Sequence, residues 1–372
     1  MEFFHLGTKQ LLFKFCHSLK ASVIIIRRIS EINMTLPPGK IPVDILKEVV
    51  FKNLGAARPE VVLGPSVGID GTIINLGNKS LISSMDPITG ATGRIGWLAV
   101  NVNANDVATF GCEPRFLLSC ILLPEKSDRA TVETITEQMS RAADGLGVAI
   151  VGGHCETTPG LKNPIVVGCA IGMTEKNNYV TAGGANHGDK LILAKSAGIE
   201  GTAILASDRE GQLKKGVDKN MLKNAKQFYE RISVVKDAVT AFKTGGVHAM
   251  HDPTEGGVAG ALHEMADASN LGVRVFREKI RVEPETARIC DFYRIDPLQL
   301  IASGALLIAA EPAFAETIVK TLRKNLIQAE TIGEFLPSPE KRLIILENGK
   351  TEVLVRPVAD QFWQALRRSP IP

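Results

Sequence analysis

The sequence is poor in aromatic residues and lacks the marks of several large protein classes. Aromatic residues make up 5% of its 372 residues, and lysine and arginine are scattered, so we expect no dedicated nucleic-acid surface. No apolar run is long enough to span a membrane. The six cysteines contain no CxxC pair, which favours reduced, buried thiols in the cytoplasm over a disulfide framework or a zinc site.

Short strand and helix patterns alternate in both halves of the chain, and glycine is plentiful at 34 residues. This alternation predicts an α/β or α+β protein with two domains. We expect an N-terminal domain over 34–180, a C-terminal domain over 188–345, and a hairpin and tail over 346–372. The basic segment 1–33 is interpreted as an appended extension, or alternatively as a surface amphipathic helix.

Four lone carboxylates stand where core sequence is expected. Asp70 lies between glycines in GIDG, Asp86 precedes a proline in SMDPITG, Asp106 lies in the apolar helix NANDVATFG, and Asp252 precedes a glycine pair in HDPTEGG. Carboxylates gathered from separate strand ends suit Mg²⁺ on the phosphates of a nucleotide, and a helix that opens with glycines offers N–H groups to phosphate. This pattern predicts a Mg-nucleotide site.

Each of these residues also has a purely structural interpretation. Asp70 could hold a turn, Asp86 could end a strand that Pro87 stops, and Asp252 could be a helix N-cap. Asp106, with Asn105 before it, is harder to explain this way, because Asn-Asp is a poor helix-forming pair. The sequence has no Walker A motif and no dinucleotide-type GxGxxG with an acidic partner.

The order of motifs resembles a known family. GIDG, SMDPITG, NANDVATFGCEP, GGHCETTPG, AKSAGIEGTAILA, HDPTEGGVAGALHE and ASGALLIA follow one another over roughly residues 37–340. They resemble the aminoimidazole ribonucleotide (AIR) synthetase, or PurM-like, superfamily, which includes selenophosphate synthetase, thiamine-monophosphate kinase and the hydrogenase maturation factor HypE. The motifs DPTEGG and ANDVATFGCEP most resemble the corresponding motifs of HypE.

The resemblance implies a fold and a chemistry. It implies an N-terminal α/β domain whose sheet pairs with that of a second subunit in a dimeric, β-barrel-like core, and an α+β C-terminal domain beside it. It also implies that ATP and Mg²⁺ bind in a cleft between the domains of this homodimer. The γ-phosphoryl group would go to, or activate, an oxygen of a small-molecule or carrier-bound acceptor.

Site residues follow from the same resemblance, motif by motif. The implied Mg²⁺ ligands are Asp70, Asp86 and Asp106. The residues implied to bind the nucleotide, its phosphates or the substrate are Asn105, Gly152, Gly153, His154, Thr157, Thr254, Gly256 and Gly257. The implied catalytic residues are Lys40 on a mobile N-terminal segment, Glu156 as a base or second-metal ligand, and Asp252. For His154 and Lys40 the alternatives are a hydrogen-bonded strand-end histidine and an exposed loop lysine.

Two departures from the family concern the acceptor. Selenophosphate synthetase has a reactive Cys or selenocysteine before the lysine, but Pro37, Pro38 and Gly39 precede Lys40 here. The HypE reaction uses a C-terminal Cys, and this sequence has none after Cys290. The sequence therefore predicts a HypE-like, ATP-using enzyme with a role in hydrogenase maturation, and it does not identify the acceptor. The alternatives are a small-molecule kinase of the thiamine-phosphate type and a non-catalytic nucleotide-binding assembly partner.

Overall fold

The computed structural model describes residue 36 and residues 39–367. The predicted extension 1–33 and Cys16 lie outside the described residues. The chain divides into two compact units, Met1–Ile41 and Pro42–Pro372. Every helix and strand described below belongs to the second unit.

The described residues form thirteen strands and eleven α-helices. The strands are β1 Val61–Leu63, β2 Thr72–Leu76, β3 Lys79–Ile88, β4 Pro114–Pro124, β5 Ala149–Thr158, β6 Ile165–Glu175, β7 Lys190–Ala194, β8 Val247–His251, β9 Gly272–Phe276, β10 Leu306–Ala310, β11 Ala329–Leu336, β12 Arg342–Ile345 and β13 Thr351–Val353. The helices are α1 Val43–Glu48, α2 Ile95–Ala108, α3 Arg129–Leu146, α4 Ile199–Asp208, α5 Glu210–Leu213, α6 Lys219–Lys226, α7 Val235–Thr244, α8 Gly257–Ala268, α9 Pro284–Tyr293, α10 Pro312–Lys324 and α11 Gln361–Arg367. This mixture confirms the predicted α/β class.

The first sheet carries β1 to β6 in the order β1-β2-β3-β6-β4-β5. Its pairs are antiparallel except for β4 and β5, which are parallel. Helices α2 and α3 cover one face through side chains such as Leu98 and Ile135. Helix α2 is buried almost all round, so its polar residues are interior groups.

Strand β3 does not end at Asp86, so the predicted stop at Pro87 is wrong. The strand continues to Ile88, and Asp86, Pro87 and Ile88 all pair with β6. On the other side, β2 pairs only as far as Ser83, so this part of β3 has no ladder partner there. A proline, which lacks an N–H, is accepted in a strand at such an unpaired edge. Asp86 therefore projects from within a strand.

The second sheet carries β7 to β13 in the order β13-β12-β9-β11-β7-β10-β8. Strand β7 is buried on both faces, and its alternate residues enter different cores. Leu191 and Leu193 pack with α8 on one face, whereas Ile192 and Ala194 pack with α7 and α10 on the other. This sandwich of helices explains why KLILA is a continuous apolar run rather than an alternating one.

The hairpin of β12 and β13 begins at Arg342, before the predicted segment 346–372, and the chain then returns to the body of the protein. Phe362 of α11 is buried in the same core as α2 and α4. Arg209 donates a hydrogen bond to the carbonyl oxygen of Leu366, 3.1 Å away. Helix α11 is therefore packed against both halves of the second unit rather than projecting from it.

Candidate active site

Four carboxylates from the two halves of the second unit influence one another. Asp70 lies just before β2, Asp86 in β3, Asp106 in α2 and Asp252 directly after β8. Burial raises the pKa of Asp106 well above its usual range, and the charges of Asp86, Asp252 and Asp70 raise it further, while a hydrogen bond from Ser84 lowers it. The fold thus brings the three predicted metal ligands and Asp252 close together.

His251 lies between two of the acidic groups, and the sequence reasoning missed it. Its Nδ1 is 2.6 Å from Asp70 Oδ2, its Nε2 is 2.9 Å from Glu264 Oε2, and the residue is fully buried. Burial alone lowers the pKa of His251, but the two carboxylates raise it to about 10, so the imidazole is a cation bonded at both nitrogens. The signal was its position next to Asp252 in HDPTEGG.

Asp70, His251 and Asp252 have potential ligand atoms within 4.8 Å of one another. His251 nonetheless has both ring nitrogens engaged, so Asp70 and Asp252 are the members of this group with oxygens to offer. Carboxylate oxygens are ligands that Mg²⁺ takes, and the cation removes the repulsion between clustered carboxylates. These residues therefore fit the implied metal.

Two further polar residues hold the carboxylates in place. The Ser84 hydroxyl lies 2.7 Å from Asp106 Oδ2 and 2.6 Å from the Asp70 carbonyl oxygen. Asn103 accepts a hydrogen bond from the Asp86 backbone N–H at 2.8 Å and donates one back to its carbonyl oxygen at 3.2 Å. Ser84 is two residues from Asp86 in the strand, and Asn103 is one helical turn from Asp106, so periodicity could have identified both.

Gly168 in β6 explains how Asn103 reaches β3. Gly168 pairs with Asp86 across the sheet. A Cβ atom at position 168 would lie 2.4 Å from Asn103 Nδ2, which is a clash. The missing side chain is therefore what lets α2 approach the sheet opposite Asp86.

Asn105 has a different position from the one expected for a nucleotide ligand. Its Nδ2 donates to the Ile232 carbonyl oxygen at 2.9 Å, and its Oδ1 accepts from the Val234 N–H at 2.7 Å. The residue is fully buried. The amide nitrogen and the amide oxygen of Asn105 both form hydrogen bonds with the backbone just before α7. Asn105 therefore links α2 to the second half of the unit.

The glycine pair at the start of α8 has left-handed backbone, with φ of 87° at Gly256 and 61° at Gly257. The Gly256 N–H donates to Asp360 Oδ2 at 2.6 Å, and the Gly257 N–H donates to the Thr254 carbonyl oxygen at 3.0 Å. The expectation that these two N–H groups are open to phosphate therefore needs correction, because protein oxygens already accept from them. Asp360 was not identified from the sequence.

The segment GGHCETTPG lies away from the carboxylates within one chain. Gly152, Gly153, His154, Glu156 and Thr157 all lie in β5, at the edge of the first sheet. Strands β6 and β4 separate β5 from β3, so three strand spacings, roughly 14 Å, lie between β5 and Asp86. Glu156 is bonded by His154 at 3.1 Å and Thr158 at 2.8 Å, which lower its pKa.

The remaining predicted residues are distributed as follows. Lys40 belongs to the unit Met1–Ile41, and its assignment as a lid lysine stays a prediction. The five described cysteines are free thiols, but only Cys112 and Cys290 are buried, and Cys155 in β5 is exposed, contrary to the expectation of buried thiols. No helix within residues 39–367 is long and apolar enough to cross a membrane.

Comparisons with known proteins agree with the two-part fold. A family model described as AIR synthase related protein, N-terminal domain, matches residues 68–174, and the corresponding C-terminal domain model matches residues 186–346. A putative hydrogenase expression/formation protein of Methanocaldococcus jannaschii is 29% identical over 329 residues, which are 87% of this chain and 95% of that protein. Carbamoyl dehydratase HypE of Escherichia coli K12 is 29% identical over 263 residues, which are 70% of this chain and 75% of that protein.

Solved structures show the same fold. A HypE–HypF complex gives a TM-score of 0.69 at 22% identity, covering 84% of this chain and 99% of that one. HypE in complex with ATP gives 0.65 at 21% identity, covering 88% and 98%. Thiamine monophosphate kinase from Aquifex aeolicus gives 0.61 at 20% identity, covering 84% and 98%.

Proposed function

The chain belongs to the AIR synthase related protein family, and we propose that it is a Mg²⁺- and ATP-dependent enzyme of the HypE-like kind. It transfers the γ-phosphoryl group of ATP to, or thereby activates, an oxygen of a small-molecule or carrier-bound acceptor. The observation that carries this proposal is the carboxylate cluster, in which Asp70, Asp86 and Asp106 from the first half meet Asp252 from the second.

The cluster needs a cation to be fully ionised. Buried carboxylates that repel one another hold protons unless positive charge balances them, and His251 supplies one such charge. In this proposal Asp70, Asp86 and Asp106 hold Mg²⁺. When bound, Mg²⁺ neutralises charge on the phosphate oxygens, which is the main requirement of phosphoryl transfer.

The bond changes follow from the acceptor being an oxygen. A new bond forms between that oxygen and the γ-phosphorus, and the bond between this phosphorus and the β,γ-bridging oxygen breaks, releasing ADP. Asp252, at the end of β8, is assigned to take the proton of the acceptor hydroxyl. His251, bonded to Asp70 and Glu264, positions the Asp70 carboxylate. The role of Lys40, in the separate unit Met1–Ile41, stays a prediction.

A homodimer would complete the site. The face of the first sheet that α2 leaves uncovered exposes Met85, Phe116 and Leu118, and β5 exposes Ile150 and Val151. An apolar sheet face of this kind indicates an interface. In this proposal two such faces join in a barrel-like core. The partner subunit then contributes its β5 segment, with His154 and Glu156, to the site.

The names of the relatives favour a role in hydrogenase maturation, since two of them are a hydrogenase expression/formation protein and carbamoyl dehydratase HypE. The HypE–HypF complex supports a protein partner as the carrier of the acceptor. The similarity in fold to thiamine monophosphate kinase supports the second candidate, a small-molecule kinase. A nucleotide-binding assembly partner without turnover is the third.

Phosphate and ADP release separate these three. Purified protein is incubated with Mg-ATP and panels of hydroxyl metabolites and carrier peptides, and Asp106→Ala serves as the inactive variant. Turnover with a carrier peptide supports the first candidate, and turnover with a metabolite supports the kinase. Mg-ATP binding without turnover across both panels would refute the enzyme and leave the binding partner.

A further inference from the structure

A small acidic pocket lies between the segment that follows β3 and helix α11, and none of the carboxylates assigned to the proposed reaction lines it. Its volume is about 70 Å³, and Glu200, Glu255, Asp360 and Trp363 are among its lining residues. This is room for roughly two water molecules at about 30 Å³ each, or a group of a few heavy atoms. Its wall also includes residues 87–91, at the end of β3 and just after it, together with Phe362 of α11.

Two buried polar atoms on this pocket lack hydrogen-bond partners among the described residues. They are Glu200 Oε2, an acceptor, and Trp363 Nε1, a donor. Glu200 is 4% exposed, so water satisfies it poorly. Leaving a buried polar atom unbonded costs about 1–3 kcal/mol, which makes the two atoms candidates for contact with a ligand.

Three carboxylates, Glu200, Glu255 and Asp360, line the pocket, and no lysine or arginine is among its lining residues. Burial raises the pKa of Glu200 to about 7, a hydrogen bond from Ser303 lowers it, and the Asp360 and Glu255 carboxylates raise it. Burial likewise raises the pKa of Asp360 to about 7, against hydrogen bonds from backbone N–H groups that lower it. A positively charged group in the pocket would relieve this repulsion.

A metal ion fits the pocket less well than an organic cation. Glu200, Glu255 and Asp360 supply its carboxylates, but most of its wall is apolar or aromatic. The aromatic rings of Phe362 and Trp363, which meet edge-on with centroids 5.4 Å apart, also line the pocket. Aromatic walls favour an organic ammonium group, whose charge they attract.

We propose that this pocket binds the ammonium group of a small amino alcohol. The ammonium donates to Glu200 Oε2, and Trp363 Nε1–H donates to the hydroxyl oxygen of the same molecule. The binding does not depend on the proposed function.

Ligand-observed NMR on the whole protein, with Mg²⁺ and a non-hydrolysable ATP analogue, tests the binding. Ethanolamine is the probe, and ethylene glycol is its neutral match in shape. We expect ethanolamine to bind at least ~10-fold more tightly, the difference made by one charge-assisted hydrogen bond. Equal binding of the two probes would overturn the proposal.

Matched variants identify the pocket as the place of binding. Glu200→Gln keeps the shape and removes the charge, and it should weaken ethanolamine binding by about 10-fold. Trp363→Phe keeps a ring and removes the N–H, and it should weaken ethanolamine by a few-fold. Glu137→Gln, on the exposed face of α3, is the charge control and should change nothing. Unchanged ethanolamine binding in folded Glu200→Gln protein would also overturn the proposal.

Failure of the proposed function gives a different pattern. If ethanolamine binds through Glu200 but ATP is never consumed, the pocket stands and the phosphoryl-transfer proposal falls. If ATP turnover requires Asp106 and Mg²⁺ yet no amine binds, the enzyme proposal stands and the amine proposal falls.

Discussion

Replacing Asp106 with asparagine should stabilise the metal-free protein while abolishing its response to Mg-ATP. The Asp106 carboxylate is buried at 3% exposure and is repelled by Asp86, Asp252 and Asp70. Asparagine has the same shape, can still accept from Ser84, and carries no charge. Removing a carboxyl group whose ionisation is opposed by burial and by its neighbours should raise the free energy of unfolding by about 1–2 kcal/mol, and Tm by roughly 2–5 °C.

The same substitution should reduce the stabilisation that Mg-ATP gives. Wild-type protein at a ligand concentration of about 100 times Kd gains roughly 2.7 kcal/mol from binding. The Asp106→Asn variant should lose most of that gain, because it has lost a ligand to the metal.

Thermal unfolding in EDTA and then in saturating Mg-ATP measures both effects on the same samples. Asp144→Asn, an equal change of charge on the exposed side of α3, is the control and should show neither. If Asp106→Asn is less stable than wild type in EDTA, or keeps the full Tm shift with Mg-ATP, the reasoning that these carboxylates bind a cation is refuted.

Three further predictions follow from single contacts. Asn105→Ala should lower the free energy of unfolding by about 2–4 kcal/mol in denaturant melts, because it orphans two buried backbone groups, and ATP affinity per folded molecule should stay unchanged. Gly168→Ala should weaken Mg-ATP binding in calorimetry more than Gly145→Ala, which meets open space, because its Cβ displaces Asn103 from Asp86. Burial raises the pKa of Glu200 to about 7. The stability that its protonated form contributes is fully present below the ordinary pKa of a glutamate, and it is lost as pH rises through about 7. The stability of Glu200→Gln relative to wild type should therefore grow from about pH 5 to pH 8 in paired thermal melts.

The sequence was most informative where residue type and periodicity act locally. It predicted the class of fold and the hairpin β12-β13, because strand and helix periodicities are properties of short segments. It also selected Asp70, Asp86 and Asp106, which the fold gathers, because lone charges in apolar sequence stand out. It failed at Pro87, since whether a proline ends a strand depends on whether the neighbouring strand is present at that point.

The contacts between distant segments were harder to predict. His251 bonds Asp70 across 181 positions of the chain, and Asn105 bonds the backbone at 232 and 234. An asparagine next to a predicted metal ligand looks like a ligand in a sequence, but only the packed structure shows which atoms fill its hydrogen bonds. Asp360, 104 residues beyond the N–H group that it accepts from, gave no local signal.

The Asn105 amide has a consequence for protein engineering. It fastens the helix that carries Asp106 to the segment before α7, so the two halves cannot be exchanged between relatives as independent modules. A chimaera joined near residue 185 would place a foreign loop against Asn105 and leave its buried amide without its two backbone partners. Such hybrids should need the segment 231–235 transplanted together with the first half to recover stability.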